Sequence, residues 1–305
     1  MHSFGDERVA PANGIELAYQ EMGDAAGEPL LLVMGLGTQM IAWDEIFCGM
    51  LAERGFRVVR FDNRDIGRST KIESAGVPRR ADLIVGRRAS APYLLRDMAA
   101  DTAGLMDHLG IESAHVVGAS MGGMIAQTLA IEHPERVRSL VSIMSNTGSR
   151  WTGMPSRKAM AVLLARPPRG REAAIERTVR TFSVIGSPGY PFEEERLRQI
   201  AGRSYDRGHS AAAVLRQLHA ISASGDRTQA LHAVRIPTTV VHGNRDPLVR
   251  PAGGRATARA IPNARLKMID AMGHDLPRQL WPVFAEEIAA NAARAGKGAA
   301  AKQRV

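Results

Sequence analysis

The sequence contains a single cysteine, Cys48, and few aromatic side chains, which make up 5% of its 305 residues. One cysteine excludes an intrachain disulfide framework and a zinc site built from cysteines. It suits a reducing compartment, and residues 1–14 lack the apolar core of a secretory signal, so we expect a cytoplasmic protein. The longest uncharged stretch, 113–131, is interrupted by glycines and polar residues, so we expect no integral membrane association.

Lysine is also scarce, although the formal net charge is +9, so nearly all of the basic residues are arginine. Such an excess can indicate an anionic partner: nucleic acid, acidic lipid or an acyl-CoA. Here the arginines are spread along the chain without a nucleic-acid-binding motif, so we interpret them as solvated surface residues and expect no nucleic acid partner. Hydrophobic residues at 45% and charged residues at 23% exclude disorder for most of the chain.

Short apolar runs alternate with helical patterns from residue 30 onward, which is typical of a parallel sheet covered by helices on both faces. The predicted strands are 30–34, 58–61, 114–117, 140–144, 238–241 and 266–269. The predicted helices between and after them are 44–54, 94–109, 121–133 and 281–294. Weaker strand patterns near Val9 and at 15–19 predict an antiparallel hairpin at the sheet edge.

The alternation stops between about 147 and 233, where the sequence has helical patterns only. These predicted helices are 155–165, 169–185, 192–204 and 211–222. A helical block inside an α/β chain predicts an insertion over one end of the sheet. We therefore expect a core made of 1–146 and 234–294, a helical cap at 147–233 after the sixth strand, and a flexible basic tail at 295–305. The long connection at 70–92 is of a kind that often forms a lid.

The strongest chemical signal is a Gly-x-Ser-x-Gly motif formed by Gly118, Ser120 and Gly122. It follows the predicted strand 114–117 directly and opens the predicted helix 121–133. A serine on so sharp a strand-to-helix turn projects above the sheet edge, and the crowded turn requires glycine on either side. The alternative is a glycine-rich turn without chemistry. We predict that Ser120 is a nucleophile.

A serine hydroxyl needs a base within hydrogen-bond reach and a carboxylate behind that base. Of the nine histidines, His274 is best placed, in the loop between the last predicted strand and the last predicted helix. Asp246, in the loop after strand 238–241, is the predicted acid. Asp270 and Asp275 are the competing acids, but both lie close to His274 in sequence for the usual geometry. The chain order Ser, Asp, His is the one expected for this serine turn.

An oxyanion formed during acyl transfer needs two N–H donors held in place. The backbone N–H of Met121, at a helix N-terminus, is the first predicted donor. The second comes from the loop after the first long strand, where Leu36 stands between Gly35 and Gly37. Leu36 is our prediction because flanking glycines allow its N–H to turn inward, although these glycines also suit an ordinary turn.

Other polar residues have structural interpretations. The charged run at 62–69 is interpreted as a turn held by internal ion pairs and hydrogen bonds. His219 and His232 are expected on helix surfaces, and His242, at the end of a strand, is expected to have a packing or structural role.

Taken together, the chain resembles the α/β-hydrolase family of serine esterases and lipases over about 14–294. The resemblance rests on the motifs at 33–35, 62–69, 118–123, 246–247 and 273–274. The stretches 33–35 and 62–70 are most similar to the bacterial branch that contains aclacinomycin methylesterase. Many members have His-Gly where this chain has Met34 and Gly35, a change that keeps the backbone donor and makes the pocket floor more apolar.

The resemblance implies an α/β-hydrolase fold, a catalytic triad of Ser120, Asp246 and His274, and an oxyanion hole formed by Leu36 and Met121. It also implies that the helical insertion is the family's cap. An aspartate takes the nucleophile position in haloalkane dehalogenases and epoxide hydrolases of this fold, so Ser120 argues against both.

We expect a serine hydrolase that cleaves a carboxylic ester of a small-to-medium apolar substrate through an acyl-enzyme on Ser120, without a metal or organic cofactor. The same triad also suits a cofactor-free perhydrolase or haloperoxidase-like enzyme, a C–C bond hydrolase or an acyltransferase. A ligand receptor that reuses the fold is the third hypothesis. The residues expected to make an apolar pocket, unless they are ordinary core, are Met34, Met121, Met124, Trp151, Met154 and Phe182.

Overall fold

The structure, a computed structural model, describes residues 3–79, 82 and 88–302. Within these residues eight strands form one sheet in the order β1-β2-β4-β3-β5-β6-β7-β8. The strands are β1 (Arg8–Ala12), β2 (Ile15–Met22), β3 (Glu28–Val33), β4 (Phe56–Phe61), β5 (Ala114–Ala119), β6 (Val137–Ile143), β7 (Thr238–Gly243) and β8 (Arg265–Ile269). The β1–β2 and β2–β4 pairs are antiparallel and the others are parallel. The predicted fold class, a mostly parallel sheet with an edge hairpin, is confirmed.

Helices cover both faces of this sheet. Those of the core are α1 (Glu45–Ala52), α2 (Leu95–His108), α3 (Met121–Glu132), α9 (Pro251–Ala260) and α10 (Trp281–Lys302). Between β6 and β7 lie α4 (Arg157–Leu163), α5 (Arg171–Ile185), α6 (Glu194–Arg207), α7 (Ala211–Ser224) and α8 (Thr228–Leu231). We call residues 147–233, which contain α4 to α8, the insertion.

Strand β3 shows why the apolar runs are continuous. Leu30 and Leu32 belong to a buried cluster with residues of α1 and α10, on one face of the sheet. Leu31 and Val33 belong to a second cluster with residues of α2 and α3, on the other face. All four are fully buried. Because side chains alternate along a strand, a strand with both faces covered needs apolar residues at every position.

Helix α9 is absent from the helices that the sequence predicts. Its sequence, PAGGRATARA, has no large apolar side chain to mark one face of a helix. Two glycines instead allow it to pack closely: a Cβ atom at Gly253 would lie 2.9 Å from Cβ of Asn146, and one at Gly254 would lie 2.4 Å from Nδ1 of His242. Close packing of small residues, rather than an apolar stripe, holds this helix against its neighbours.

The turn at 62–69 has the predicted internal hydrogen bonds: the N–H of Arg68 donates to Oδ2 of Asp62 at 3.0 Å, and the hydroxyl of Ser69 donates to the carbonyl oxygen of Asp62 at 2.6 Å. The prediction of internal ion pairs was wrong. Asp62 pairs with Arg207 of α6 at 2.9 Å, and Asp65 pairs with Arg216 of α7 at 2.7 Å. Both aspartates are buried. The two carboxylates therefore tie this turn of the core to two helices of the insertion.

Two other predictions concern segments that the structure describes in part. The last helix, α10, extends to Lys302 and so runs into the predicted flexible tail at 295–305, whose end lies outside the described residues. The predicted lid at 70–92 also lies partly outside them. Among the helices that are described, none combines the length and the apolar character that crossing a bilayer requires.

Candidate active site

Ser120 lies between the end of β5 and the start of α3 with φ 56° and ψ −120°, in a backbone region that non-glycine residues rarely adopt. Glycine is needed on either side of it. A Cβ atom at Gly118 would lie 2.2 Å from the carbonyl oxygen of Gly122, and one at Gly122 would lie 2.0 Å from that of Val33. The motif glycines therefore let α3 begin directly against β5 and β3, with the serine at the apex of the turn.

Ser120, His274 and Asp246 form one chain of hydrogen bonds. The Nε2 atom of His274 lies 2.9 Å from Oγ of Ser120, and its Nδ1 atom lies 2.7 Å from Oδ2 of Asp246. His274 and Asp246 are 6% and 2% exposed, whereas Ser120 is half-buried and open to a substrate. When Nδ1 donates its proton to the carboxylate, Nε2 is left as an acceptor for the serine hydroxyl proton.

The carboxylate of Asp246 is fixed by the backbone of its own loop. Its Oδ1 atom accepts hydrogen bonds from the N–H groups of Leu248 at 2.8 Å and Val249 at 2.9 Å. His242 lies beside it and donates from Nε2 to the carbonyl oxygen of Val249 at 2.7 Å. Burial lowers the pKa of His242, which favours its neutral form. His242 thus has the structural place expected for it.

The competing acids are engaged elsewhere. Asp275 accepts a hydrogen bond from the hydroxyl of Ser187, and burial raises the pKa of its carboxyl group. Asp270 accepts a hydrogen bond from the side-chain amide of Asn244. Both ring nitrogens of His274 already have partners, Asp246 and Ser120. The structure therefore brings His274 together with Asp246, the acid that the sequence predicts.

The loop after β3 lies next to Ser120. A Cβ atom at Gly35 would lie 3.1 Å from Cβ of Ser120 and 3.6 Å from its Oγ. The N–H of Gly37 donates to Oε1 of Gln217 at 2.9 Å and is therefore not available to an oxyanion. Leu36 remains the candidate donor of this loop, and Met121, the first residue of α3, remains the other.

Two expectations about side chains outside the triad were wrong. His219, expected on a helix surface, is fully buried in α7, while His232 is exposed as expected. Trp151, expected to line a pocket, is 93% exposed. Met121 and Met124 belong to the buried core, which is the ordinary alternative to a pocket lining.

Two polar residues near the proposed machinery, Gln217 and Ser187, carry no sequence signal. Neither belongs to a motif, and each meets its partner only because the insertion folds back onto the core. The insertion places Ser187 at the His274 loop and Gln217 at the loop after β3. Within the described residues, no group of three or more histidine, cysteine or acidic side chains is arranged to hold a metal ion.

Comparisons with family models and with known proteins point to the same family. The family model of the α/β hydrolase fold matches residues 28–187. Rhodomycin D methylesterase DnrP of Streptomyces peucetius is 27% identical over 93% of this chain and 97% of that protein. DauP of Streptomyces sp. strain C5, which has the same enzyme name, is 28% identical over the same shares.

Solved structures agree with this fold. The enol-lactonase from Burkholderia xenovorans LB400 is 23% identical, with a TM-score of 0.70 over 93% of this chain and 99% of that one. The 2-hydroxy-6-oxo-6-phenylhexa-2,4-dienoate hydrolase from Rhodococcus sp. strain RHA1 is 20% identical, with a TM-score of 0.75 over 95% of this chain and 99% of that one. The chain therefore belongs to the α/β-hydrolase fold family.

Proposed function

We propose that the protein is a carboxylic ester hydrolase in which Ser120, His274 and Asp246 form the catalytic triad. The observation that carries this proposal is the hydrogen-bond chain from Oγ of Ser120 through the ring of His274 to Asp246, with distances of 2.9 and 2.7 Å. This arrangement of nucleophile, base and orienting carboxylate is the one that acyl transfer requires.

In the first half of the proposed reaction, Oγ of Ser120 attacks the acyl carbon of the ester while Nε2 of His274 takes the hydroxyl proton. The tetrahedral intermediate then collapses, and His274 returns the proton to the leaving alcohol. In the second half, His274 takes a proton from water as the water attacks the acyl carbon of the acyl-enzyme. The second tetrahedral intermediate then collapses, His274 returns the proton to Oγ of Ser120, and the acid is released. Asp246 stays ionised throughout and stabilises the imidazolium.

The oxyanion of the tetrahedral intermediate is proposed to accept hydrogen bonds from the N–H groups of Leu36 and Met121. The position of Met121 at the start of α3 supports this, because the N-terminus of a helix carries a partial positive charge. The proximity of Gly35 to Ser120 supports the role of Leu36, the residue that follows it. Preorganised donors of this kind lower the barrier because they need no rearrangement as charge develops.

The substrate is proposed to be a small-molecule methyl ester, bound where the insertion faces the carboxyl ends of the central strands. The name shared by the two Streptomyces relatives supports a methyl ester. In this proposal the insertion is the cap of the core formed by 1–146 and 234–294. The cytoplasmic location of the protein stays a prediction from the sequence.

A second candidate reaction has support from the name of a relative. A protein of Mycobacterium phage D29 named putative non-heme haloperoxidase is 27% identical over 93% of this chain and 92% of that protein. In a perhydrolase reaction, hydrogen peroxide instead of water attacks the acyl-enzyme and yields a peracid. The same triad serves both reactions, so a halide-dependent peroxide assay run beside the ester assay separates them.

A fluorophosphonate probe tests the proposal, because it labels a serine only when a base activates it. We expect labelling of Ser120, loss of labelling in Ser120→Ala, and hydrolysis of p-nitrophenyl acetate by the wild-type protein alone. A series of methyl esters graded by acyl size then defines the substrate. An unlabelled wild-type protein from which a bound ligand is recovered intact would support a receptor instead.

A further inference from the structure

The loop that carries the proposed oxyanion donor, residues 34–38, is held by a side chain of the insertion. Oε1 of Gln217, in α7, accepts the N–H of Gly37 at 2.9 Å, and its Nε2 donates to the carbonyl oxygen of Arg64 at 2.9 Å. We propose that Gln217 is a positioning residue that holds the oxyanion hole in its active geometry. This inference rests on the proposed function.

Gln217 is fully buried, and its two hydrogen bonds join three parts of the molecule: α7, loop 34–38 and the turn at 62–69. The far end of this bridge is rigid, because the guanidinium group of Arg64 forms two hydrogen bonds of 2.5 Å to the buried carboxylate of Asp101. Gln217 therefore connects a glycine-containing loop to a fixed point of the core.

Each polar group of the peptide between Leu36 and Gly37 has a partner. Its N–H group, which belongs to Gly37, donates to Gln217. Its carbonyl oxygen, which belongs to Leu36, accepts a hydrogen bond from Oγ1 of Thr38 at 3.1 Å. Because a peptide unit is planar, fixing both groups fixes its orientation. Gly37 has φ +66°, and a glycine can adopt many other conformations, so the hydrogen bond that its N–H donates to Gln217 favours this one.

The preceding peptide, between Gly35 and Leu36, carries the proposed donor. Its carbonyl oxygen accepts the N–H of Thr38 at 3.2 Å. In a trans peptide the N–H points opposite to the carbonyl, so the N–H of Leu36 points away from Thr38. Gly35 lies beside Ser120, which places this peptide at the nucleophile. A rotation at Gly37 breaks the turn and turns the N–H of Leu36 away from the position of the oxyanion.

Gln217→Met tests the inference, because methionine has a similar length and volume but forms neither hydrogen bond. Loss of an oxyanion donor costs about 10²–10³ in kcat, so we expect a displaced donor to lower kcat by about 10- to 100-fold. We expect little change in KM, since the hydrogen bond to the oxyanion strengthens in the transition state. The pH profile of kcat/KM should stay as in the wild type, because His274 and Asp246 are not touched.

An oxyanion-hole inhibitor distinguishes this role from a purely structural one. A trifluoromethyl ketone adds to the serine and places an alkoxide in the hole, so its Ki should rise by the same factor as kcat/KM falls. The carboxyl group of Gln217→Glu, when protonated, accepts from the N–H of Gly37 and donates to the carbonyl oxygen of Arg64. This variant should therefore retain more activity than Gln217→Met. Ser224→Ala is the matched control: it removes the α7 hydroxyl that accepts a hydrogen bond of 2.9 Å from the N–H of Leu95, and it should leave kcat and Ki unchanged.

Thermal unfolding of each variant shows whether it is folded at the assay temperature. If Gln217→Met is not folded, Thr38→Val, which frees the carbonyl end of the same peptide, carries the test through the same parallel change in kcat and Ki. Wild-type kcat and Ki in folded Gln217→Met, or in Thr38→Val where Gln217→Met does not fold, would overturn the role of Gln217 alone. A wild-type protein that hydrolyses no ester and is not labelled at Ser120 would instead overturn the proposed function.

Discussion

The backbone N–H of His274 donates to the carbonyl oxygen of Ile185 across 2.7 Å, which joins the loop of the proposed base to the last turn of α5. The preceding residue of this loop also bonds to the insertion, since the N–H of Gly273 donates to Oγ of Ser187 at 2.8 Å. These bonds hold the imidazole from the side of the insertion, while Asp246 holds it from the core. The insertion therefore takes part in placing the proposed catalytic base.

Gly273→Ala should lower activity by displacing this loop. A Cβ atom at this position would lie 2.2 Å from the carbonyl oxygen of Gly186, so either the His274 loop or the end of α5 must move. A misplacement of about 1 Å costs about 10²-fold in rate, so we expect kcat to fall by about 10- to 100-fold in steady-state assays.

Gly49→Ala is the control for the effect of the glycine substitution itself. A Cβ atom there meets no atom within 4 Å, and the position lies inside α1. We expect unchanged kcat and a gain in stability of about 0.5–1 kcal/mol, because alanine favours a helix more than glycine does. Equal activity of the Gly273→Ala and Gly49→Ala variants would refute the coupling of the His274 loop to α5.

Ser120→Ala should abolish ester turnover without unfolding the protein. Removing the nucleophile of a triad costs up to about 10⁶ in kcat, and the small side chain of alanine fits the turn. Initial rates with p-nitrophenyl acetate measure the loss, and circular dichroism with thermal unfolding shows whether the fold is kept. Residual turnover within about tenfold of the wild type would assign the nucleophile to another residue.

Asp246→Asn should reduce kcat strongly but less completely than Ser120→Ala, by about 10³–10⁴-fold, because it disturbs the base and leaves the nucleophile in place. Asp275→Asn is the matched variant. The carboxyl group of Asp275 is also partly buried near His274, but it accepts a hydrogen bond from Ser187. We expect Asp275→Asn to keep most of the activity. The reverse order of the two variants in kcat would show that the acid was assigned to the wrong aspartate.

Asp65→Asn should destabilise the protein at neutral pH by about 3–5 kcal/mol, because it leaves Arg216 buried without its carboxylate. Burial alone would raise the pKa of Asp65, but hydrogen bonds from Arg216 and Tyr93 outweigh it and lower the pKa. A lowered native pKa contributes stability above the unfolded value of about 3.9, and this contribution is lost as the pH falls through the native pKa.

The difference in unfolding free energy between the wild type and Asp65→Asn should therefore be largest at neutral pH and should narrow only once the pH falls below about 4, towards the lowered native pKa. Urea unfolding at several pH values measures it. Asp206→Asn, which removes the exposed partner of Arg171, should leave the unfolding midpoint unchanged. A gap that does not change with pH would show that the charge of Asp65 contributes nothing.

Much of the fold and of the candidate site follows from local features of the sequence. Continuous apolar runs predict strands buried on both faces, as at Leu30–Leu32 with Val33 in β3. The glycines of the serine turn follow from steric crowding between Gly118 and Gly122. These signals are readable because each depends on residues adjacent along the chain.

The sequence by itself determined the strand order along the chain, the serine turn and the succession of Ser120, Asp246 and His274. Only the tertiary structure decided that Asp62 and Asp65 pair with helices of the insertion, and that Gln217 and Ser187 hold the loops of the site. The physical reason is that hydrophobic periodicity and backbone steric limits, which predict the strands and the serine turn, depend on residues only a few positions apart. The partner of a buried charge or amide instead depends on where a distant helix packs, which the whole core decides.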